Sequence, residues 1–266
     1  MLTTPTTIAL HQVDKVYNNG IVALKGVNLT IRQGEFVSLV GPSGCGKSTI
    51  LRLIAGLGTV SQGSLELNGI ERSRAQKSAS DQETLAFVFQ DPALMPWATV
   101  VDNIHLPLKL KGHSLRASRS RIQEVLNLVE LQGFENTYPR QLSGGMKMRV
   151  SIARALVTHP NLLLMDEPFG ALDEMTRGRL NSDVLHLWEH YHWTVVFVTH
   201  NIYEAVYLSS RVVVMAAHPG RIVADVPIDA PYPRNEAFRT SPLFNQYCRD
   251  ILHHLSGGEA VASRPT

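Results

Sequence analysis

Cysteine is scarce in this sequence of 266 residues, which contains only Cys45 and Cys248. Without a C-x-x-C pair there is no zinc-binding pattern, and we expect two free thiols, as in proteins of a reducing compartment. The 11 histidines are scattered rather than clustered at metal-ligand spacing. These absences argue against a disulfide-stabilised domain and against a structural metal centre.

Long hydrophobic runs are also missing. No uninterrupted apolar stretch approaches the ~18 residues that a membrane-spanning helix requires. The longest candidates, 195–198 and 212–217, are short and bounded by polar residues, as is typical of buried strands. Residues 1–30 lack a basic segment followed by an apolar one, so no secretory signal is predicted. Any role at a membrane must therefore come through a partner.

The charge balance favours no particular polyanionic partner. The formal net charge is +2, charged residues make up 18% of the chain and hydrophobic residues 44%. These values are ordinary for a globular protein and give no indication of nucleic-acid binding. The length suits one large domain or two small ones, with a sizeable core.

Short apolar strands alternate with helices on both sides of a helical block. Residues 8–40 alternate in the manner of antiparallel strands, and helical apolar spacing extends from Asp102 to about Val157. Further strands are predicted at 35–40, 63–69, 85–89, 162–165, 194–198 and 211–215, and further helices at 47–55 and 175–191. This order predicts an α/β fold with an N-terminal antiparallel β subdomain and an α-helical subdomain inserted at about 91–160.

The predicted main domain covers residues 1–220, and residues 221–266 form a short extension. A strand is expected at Ile222–Ile228 and a helix at Glu236–Leu255, with a disordered tail from about Gly257, where the residues are small and polar. The polar segment 71–84 has no apolar periodicity and is predicted to be an exposed loop.

One glycine-rich segment carries a phosphate-binding pattern between a predicted strand and a predicted helix. It fits G-x-x-x-x-G-K-[ST] with Gly41, Pro42, Ser43, Gly44, Cys45, Gly46, Lys47 and Ser48, and Thr49 follows. Glycines let backbone N–H groups approach phosphate oxygens, and the helix adds the positive end of its dipole. We expect Lys47 to contact the β- and γ-phosphates and Ser48 to hold Mg²⁺. The alternative, a plain glycine-rich turn, leaves the strand–loop–helix context unexplained.

A buried strand, Leu162–Met165, ends in two carboxylates, Asp166 and Glu167. Considered alone, such a pair is more often a solvated turn, but the phosphate loop upstream favours a catalytic site. We expect this strand to lie beside the phosphate-loop strand, with both carboxyl ends on one edge of the sheet. Asp166 would then contribute to the Mg²⁺ shell, and Glu167 would activate the attacking water.

A second helix start is suited to an anion. Ser143 is a good N-cap residue, and Gly144 and Gly145 expose the N-terminus of a long helical pattern. A simple helix cap is the alternative interpretation.

Together these motifs resemble the ABC ATPase family over about residues 8–220. The family signature LSGGQ is represented by Leu142-Ser143-Gly144-Gly145-Met146. Four further positions match family elements: the Q-loop glutamine (Gln90), the D-loop (Asp173, in Ala171-Leu172-Asp173), the switch histidine that senses the γ-phosphate (His200) and the aromatic residue that stacks on adenine (Tyr17). Taken singly, His200 and Tyr17 could also be ordinary core or surface residues, and Gln90 an ordinary polar residue at the end of a strand.

The resemblance implies a P-loop NTPase core of the RecA-like type that binds ATP and Mg²⁺ and hydrolyses ATP. It assigns the metal to Ser48, Gln90 and Asp166, and catalysis to Glu167, His200 and Gln90. In the family, one ATP lies between the phosphate loop of one subunit and the signature helix of another. A homodimer is therefore expected, in which Ser143, Gly144, Gly145 and Asp173 complete the partner's site.

Within the family, the chain resembles the nitrate/sulfonate/taurine importer ATPases. The likeness is carried by Met146 and by two segments, Leu94-Met95-Pro96-Trp97 and Thr99-Val100-Val101-Asp102-Asn103. It implies a peripheral protein on the cytoplasmic face of the inner membrane, bound to integral-membrane permease subunits and served indirectly by a periplasmic or surface substrate-binding protein. The segment around Trp97 resembles the permease docking site; packing against the chain's own helices is the alternative.

Three positions depart from that subgroup's pattern. Met148 stands where a glutamine is usual, and Asn201 and Tyr203 replace acidic residues common after the switch histidine. The substrate stays open among nitrate, sulfonate, taurine, bicarbonate and thiamine-type precursors, because it would contact the permease and not this chain.

Two other functional classes fit less well. An ABC ATPase acting on nucleic acid is expected to carry long coiled-coil or zinc insertions or two cassettes, whereas the segment between Gln90 and Ser143 is short and the cassette is single. A GTPase would show an Asn-Lys-x-Asp motif, which is absent, and a P-loop kinase leaves the signature helix unexplained. No nucleic-acid partner is therefore expected.

Overall fold

The computed structural model describes residues 5–71 and 85–262, with side chains up to residue 257. It divides the chain into two compact units, one formed by Met1–Ser80 with His192–Thr266 and the other by Asp81–Tyr191. The segment 72–84, most of the predicted exposed loop, lies outside the described residues.

Within the described residues the chain forms ten strands and eight α-helices. The strands are β1 (Thr6–Val16), β2 (Val22–Arg32), β3 (Phe36–Val40), β4 (Gln62–Leu67), β5 (Ile70–Glu71), β6 (Leu85–Val88), β7 (Leu162–Asp166), β8 (Thr194–Val198), β9 (Arg211–Ala216) and β10 (Arg221–Pro227). The helices are α1 (Lys47–Ile54), α2 (Val100–Leu110), α3 (Leu115–Leu128), α4 (Gly144–Leu156), α5 (Glu174–Tyr191), α6 (Ile202–Leu208), α7 (Glu236–Arg239) and α8 (Pro242–Ala262).

The first unit begins with an antiparallel sheet in the order β2-β1-β4-β5. In β2 the buried apolar side chains alternate with exposed residues from Val27 onward, as the sequence predicts. In the β1–β2 register, Leu10 lies opposite Leu29 and Val13 opposite Val27, and all four are buried. This one-sided burial fixes the register, since a slip of one residue would turn the apolar set to solvent.

The same unit contains parallel strands around β3. Both sides of β3 are hydrogen-bonded in parallel, to β8 and to β9, and β10 continues antiparallel to β9. All five residues of β3 are buried, which explains why four of them are apolar. The hydroxyl of the fifth, Ser38, is hydrogen-bonded to the hydroxyl of Ser209. Because β8 and β9 occupy both sides of β3, the expectation that the acidic strand β7 lies directly beside the phosphate-loop strand is wrong.

The segment after residue 220 belongs to the first unit through β10, which pairs with β9. The predicted helix at 236–255 is two helices, α7 and α8, because Pro242 starts a new helix and Ser241 Oγ accepts from Phe244 N at 3.1 Å. Helix α8 continues past Gly257, the predicted start of a disordered tail, to Ala262. Residues 263–266 lie outside the described residues.

The second unit combines two parallel strands with helices. Strand β6 pairs with β7 in parallel, from Leu85 opposite Leu162 to Val88 opposite Met165. Helices α2, α3 and α4 pack on one another, in the region where helical spacing predicts them. Met148 of α4 is 1% exposed, so the methionine that replaces the family's usual glutamine serves the core of this unit.

In the part of the chain that the structure describes, every helix is too short or too polar to span a bilayer.

The sharpest steric constraint in the antiparallel sheet is at Gly63. Strand β1 bulges at Gln12, whose φ is 48°, and a Cβ on Gly63 would lie 2.3 Å from Gln12 O and 2.4 Å from His11 O. Gly63 itself has a φ of 81°, a conformation that other residues rarely adopt.

We expect Gly63→Ala to lower the free energy of unfolding by about 3 kcal/mol or more, because rigid backbone atoms cannot move away from the new methyl group. The matched control is Gly20→Ala, since Gly20 has a similar φ of 82° but open space around it, and it should cost only about 1 kcal/mol. Urea unfolding of both variants measures the difference. Equal losses would mean that the backbone conformation alone, and not the contact, matters at Gly63.

Candidate nucleotide-binding site

The phosphate loop connects β3 to α1 in the first unit. Gly44 and Gly46 have φ values of 78° and 93°, a left-handed conformation that glycine adopts without steric cost. A Cβ on Gly46 would lie 2.5 Å from Leu24 Cδ2 and 2.9 Å from Ala23 O. The G-x-x-x-x-G spacing thus reflects a loop pressed against strand β2, as well as the need to approach phosphate.

The start of the loop is equally close-packed. A Cβ on Gly41 would lie 2.5 Å from Met215 O and 2.7 Å from Cys45 Sγ. Cys45 is buried beneath the loop, and burial raises the pKa of its thiol despite the nearby Lys47. Cys45 and Cys248 are both free thiols, as expected. The side chain of Cys45 therefore fills space, and only its backbone is available to a phosphate.

Lys47 lies across the concave side of the loop. Its Nζ donates to Gly41 O at 2.8 Å and to Pro42 O at 3.0 Å, and the residue is 5% exposed. Gly46, the N-cap of α1, has no side chain to accept from the first-turn N–H groups. An ammonium group and a helix N-terminus therefore face the same loop, an arrangement that favours bound anions. Ser43 and Gly44 are exposed on the loop's surface.

Tyr17 lies next to this loop. Its hydroxyl is 3.3 Å from Thr49 Oγ1, and Lys15 Nζ is 5.3 Å from the ring centroid. The ring is partly exposed, so one face can accept a planar base while the hydroxyl stays anchored to α1.

His200 follows β8, the parallel neighbour of β3, and is exposed. Its neighbours are firmly bonded: Thr199 N donates to Leu39 O at 3.3 Å, and Asn201 N donates to Thr199 Oγ1 at 3.0 Å. Asn201 also caps α6, its Oδ1 accepting from Tyr203 N and Glu204 N. Asparagine is among the best N-cap residues, so the departure from the family's acidic residue keeps the capping function.

In the second unit, Gln90 and Glu167 meet at Gly170. A Cβ on Gly170 would lie 3.2 Å from Gln90 Nε2 and 3.7 Å from Glu167 Oε2. Glu167 has a φ of 47° immediately after Asp166, the last residue of β7, and Gly170 N donates to Glu167 O at 3.1 Å. A tight turn therefore places the Glu167 side chain near the Q-loop amide, directly after Asp166 at the strand end.

The signature helix is also located in this unit. Ser143 Oγ accepts from Met146 N at 3.2 Å, the N-cap bond that the sequence predicts. A Cβ on Gly145 would lie 2.5 Å from Thr176 Cγ2, so this glycine allows close contact with α5. Asp173 Oδ1 accepts from Thr176 N at 3.0 Å, a bond that lowers the pKa of its carboxyl. The structure thus brings the signature and the D-loop side by side.

The segment after Gln90 is held by two side chains that the sequence analysis did not identify. Arg154 donates to Pro92 O at 2.6 Å and Ala93 O at 2.9 Å. Asn103 is fully buried; its Nδ2 donates to Met95 O, Ala98 O and Thr99 O, and its Oδ1 accepts from Met95 N at 2.7 Å. The available signal was an asparagine between the apolar residues Val101 and Ile104 at the helix start, beside the capping Asp102. With this loop fixed, Trp97 remains 76% exposed.

The predicted residues therefore form two groups. In the first unit, β3 and α1 carry the phosphate loop and Lys47. Tyr17 contacts α1, and the strand that leads to His200 pairs with β3. In the second, Gln90, Asp166 and Glu167 cluster at the end of β7, and Ser143–Gly145 lies along Leu172 and Asp173. Each unit thus holds its own group of the residues that the sequence predicts for the site.

Comparison with known proteins finds ABC transporter ATP-binding proteins as relatives over nearly the whole chain. The sequence profile described as ABC transporter matches residues 24–170. An aliphatic sulfonates import ATP-binding protein of Bacillus cereus is 41% identical over 258 residues, which cover 96% of this chain and 98% of the relative. An uncharacterized ABC transporter ATP-binding protein of Methanocaldococcus jannaschii is 44% identical over 246 residues, which cover 92% and 89%.

Solved structures agree. A dimeric bacterial ABC transporter cassette superposes with a TM-score of 0.73 at 37% identity, covering 84% of this chain and 100% of that one. The same cassette in a post-hydrolysis state bound to ADP and Pi gives 0.74 at 36% identity. Since both the matched length and the motif geometry agree, the chain belongs to the ABC transporter family as an ATP-binding ATPase with the P-loop NTPase fold.

Proposed function

We propose that this chain hydrolyses ATP to drive the import of a small organic anion of the aliphatic sulfonate type through a membrane permease. The observation that carries the proposal is the likeness, along almost the full length of both chains, to a sulfonate import ATP-binding protein. The chain itself contributes the nucleotide chemistry, and the permease and a substrate-binding protein select the solute.

ATP binding is assigned to the first unit. Backbone N–H groups within the loop 41–49, to which Pro42 contributes none, surround the phosphates. Lys47 exchanges its bonds to Gly41 O and Pro42 O for bonds to phosphate oxygens, and Tyr17 stacks on the base. The exchange is favourable because a charge-assisted bond to phosphate is stronger than one to a neutral carbonyl.

The donor groups fit Mg²⁺ as the cation. Ser48, Gln90 and Asp166 offer hydroxyl, amide and carboxylate oxygens, the hard ligands that Mg²⁺ prefers, and few protein ligands suffice when phosphates supply others. Bound Mg²⁺ neutralises charge on the phosphates. Lys47 contributes a second positive charge from the loop.

Hydrolysis is assigned to Glu167, Gln90 and His200. The Glu167 carboxylate orients the attacking water and accepts its proton, and Gln90, which meets Glu167 at Gly170, helps to hold that water. His200 donates to the γ-phosphate. The turn at Glu167 fixes the carboxylate, so little reorganisation is needed when the phosphate arrives.

The complete site requires two copies of the chain. Ser143, Gly144 and Gly145 of one copy would contact the phosphates bound to the other, and Asp173 would lie at the same interface. The dimeric cassette among the solved relatives supports this arrangement. Exposure of Ser143, Gly144 and Asp173 leaves these groups accessible to a second copy.

We place the protein on the cytoplasmic face of the inner membrane, bound peripherally to permease subunits, with a periplasmic or surface substrate-binding protein acting on the far side and no nucleic-acid partner. Trp97 is the proposed docking anchor. Its exposure argues against the alternative in which it packs on the chain's own helices, and large aromatic side chains commonly dominate the energy of interfaces.

The substrate class is tested by reconstituting the chain with its permease and binding protein in vesicles. Alkanesulfonates should stimulate ATP hydrolysis, and nitrate, bicarbonate and thiamine precursors should not. Stimulation by one of those solutes and not by sulfonates would overturn the substrate class while leaving the ATPase assignment intact.

Glu167→Gln should lower the rate of ATP hydrolysis by about 10²–10⁴-fold, because the variant keeps the side-chain shape and loses the proton acceptor. ATP binding should persist, and a dimer should accumulate with ATP in size-exclusion chromatography. Asp166→Asn is the matched control and should instead weaken Mg²⁺-dependent binding. Wild-type turnover in Glu167→Gln would exclude Glu167 as the base.

Ser143→Arg should prevent the ATP-dependent dimer, since it places a bulky side chain at the proposed interface. Ser143→Ala separates this effect from the lost N-cap bond, which costs about 0.5–2 kcal/mol, and should still dimerise in the Glu167→Gln background. Both variants should bind ATP as monomers in equilibrium dialysis. If Ser143→Arg monomers bind no ATP, the signature helix belongs to the same chain's site.

Trp97→Ala should weaken association with the permease by at least about 2 kcal/mol, roughly 30-fold, without changing ATP binding. Leu110→Ala is the control, because Leu110 is equally exposed at the opposite end of α2. Co-purification and thermal unfolding measure the two effects. If Trp97→Ala is thermally destabilised but still co-purifies with the permease, Trp97 serves packing within the chain and not docking.

A further inference from the structure

The short helix α6, directly after His200, has all of its last four carbonyl groups bonded. Ala205 O accepts from Ser209 N, as a helix end often does. The other three accept from one segment of the C-terminal extension: Val206 O and Tyr207 O from Arg234 Nη1 at 2.9 and 3.1 Å, and Leu208 O from Tyr232 Oη at 3.3 Å. Helix ends normally leave such groups to water, so this end is closed by tertiary contacts.

Arg234 is the centre of these contacts. It is 1% exposed, and its guanidinium also donates to Ser209 O at 2.8 Å and, through Nη2, to Ile228 O and Ala230 O at 3.2 Å. In return, Tyr207 Oη donates to Arg234 O at 2.9 Å. The planar fork of arginine reaches two groups of carbonyls at once, which joins α6 to residues 228–234.

Aromatic rings enclose this guanidinium. Its carbon lies 4.1 Å from the ring centroid of Tyr232 and 5.2 Å from that of Phe238. Cations over aromatic faces gain stability when water is excluded. The guanidinium of Arg234 is therefore held in a fixed orientation as well as being buried.

The opposite end of α6 is bonded to the switch segment. Thr199 Oγ1 donates to Glu204 Oε2 at 2.5 Å, and Asn201 Oδ1 accepts from Tyr203 N and Glu204 N. Thr199 and Asn201 flank His200 in sequence. The residues on both sides of His200 are thus hydrogen-bonded to the first turn of α6. Arg234 is hydrogen-bonded to the last turn of the same helix.

Helix α6 has only seven residues, fewer than two turns. A helix of this length has little stability of its own, and its position depends on tertiary contacts. A change at its C-terminal end therefore shifts its N-terminal end and, with it, His200.

We propose that Arg234 is a positioning residue for hydrolysis: it acts through α6 to hold His200 in the orientation that meets the γ-phosphate. The inference depends on the role of His200 in the proposed function. It gives the extension after residue 220 a part in catalysis, in addition to its part in folding.

The principal variant is Arg234→Lys, which keeps the charge and most of the length. A single ammonium cannot reach the carbonyls at the end of α6 and those of Ile228 and Ala230 at the same time. The C-terminal end of α6 therefore loses part of its connection to the extension. We expect kcat to fall about 10- to 100-fold, the effect of a misplacement near 1 Å at a reacting centre. KM for ATP should not change, because the phosphate loop is untouched.

A double-mutant cycle with His200→Ala separates positioning from a general structural effect. If Arg234 acts through His200, Arg234→Lys will have no further effect on kcat in the His200→Ala background. Tyr207→Phe, which removes only the hydroxyl bonded to Arg234 O, should give a smaller decrease in kcat that also disappears in that background. Tyr207→Phe serves in the same cycle if Arg234→Lys does not fold.

Leu10→Ala in β1 is the stability control, since Leu10 is fully buried in the antiparallel sheet of the same unit. It should lower the melting temperature at least as much as Arg234→Lys and leave kcat near the wild-type value. Multiplicative effects of Arg234→Lys and His200→Ala, or an equal loss of kcat in Leu10→Ala, would overturn the inference. Wild-type kcat in His200→Ala would instead show that the proposed role of His200 is wrong, and the inference would be overturned with it.

Discussion

The close packing of the phosphate loop against strands β2 and β9 is the constraint on which the site depends. Three glycines, Gly41, Gly46 and Gly220, lie where any Cβ would come within 2.5 Å of Met215 O, Leu24 Cδ2 or the carbonyls of Ala23 and Cys45. Lys25 N also donates to Gly220 O at 2.9 Å. Because rigid backbone surrounds the loop, its N–H groups are held in place before an anion binds, which removes the cost of ordering them on binding.

The residues of the proposed site are divided between the two compact units. The first holds the groups proposed to bind phosphate and base, and it also holds the switch segment with its α6 support. The second holds the carboxylates, the Q-loop amide and the signature helix, together with the exposed Trp97.

The departures from the family pattern become understandable in structural terms. Asn201 keeps the helix cap that an acidic residue would otherwise supply, and Met148 is buried in the helical core. Neither change removes a group from the site. Tyr203 is exposed and stacks on Phe244 of α8, with the ring centroids 6.1 Å apart, which adds to the contact between the switch segment and the C-terminal extension.

The sequence by itself determined the α/β class, most of the strands and the identity of the motifs, because phosphate binding needs glycines at fixed spacing and buried strands need unbroken apolar runs. Only the tertiary structure decided that β8 and β9, rather than β7, pair with β3, since strand order follows from crossovers and not from local pattern. It also revealed Arg154, Asn103, Arg234 and Gly220. Their partners are backbone carbonyls, near in sequence for Asn103 and mostly distant for the others. A carbonyl group carries no sequence signal because every residue has one.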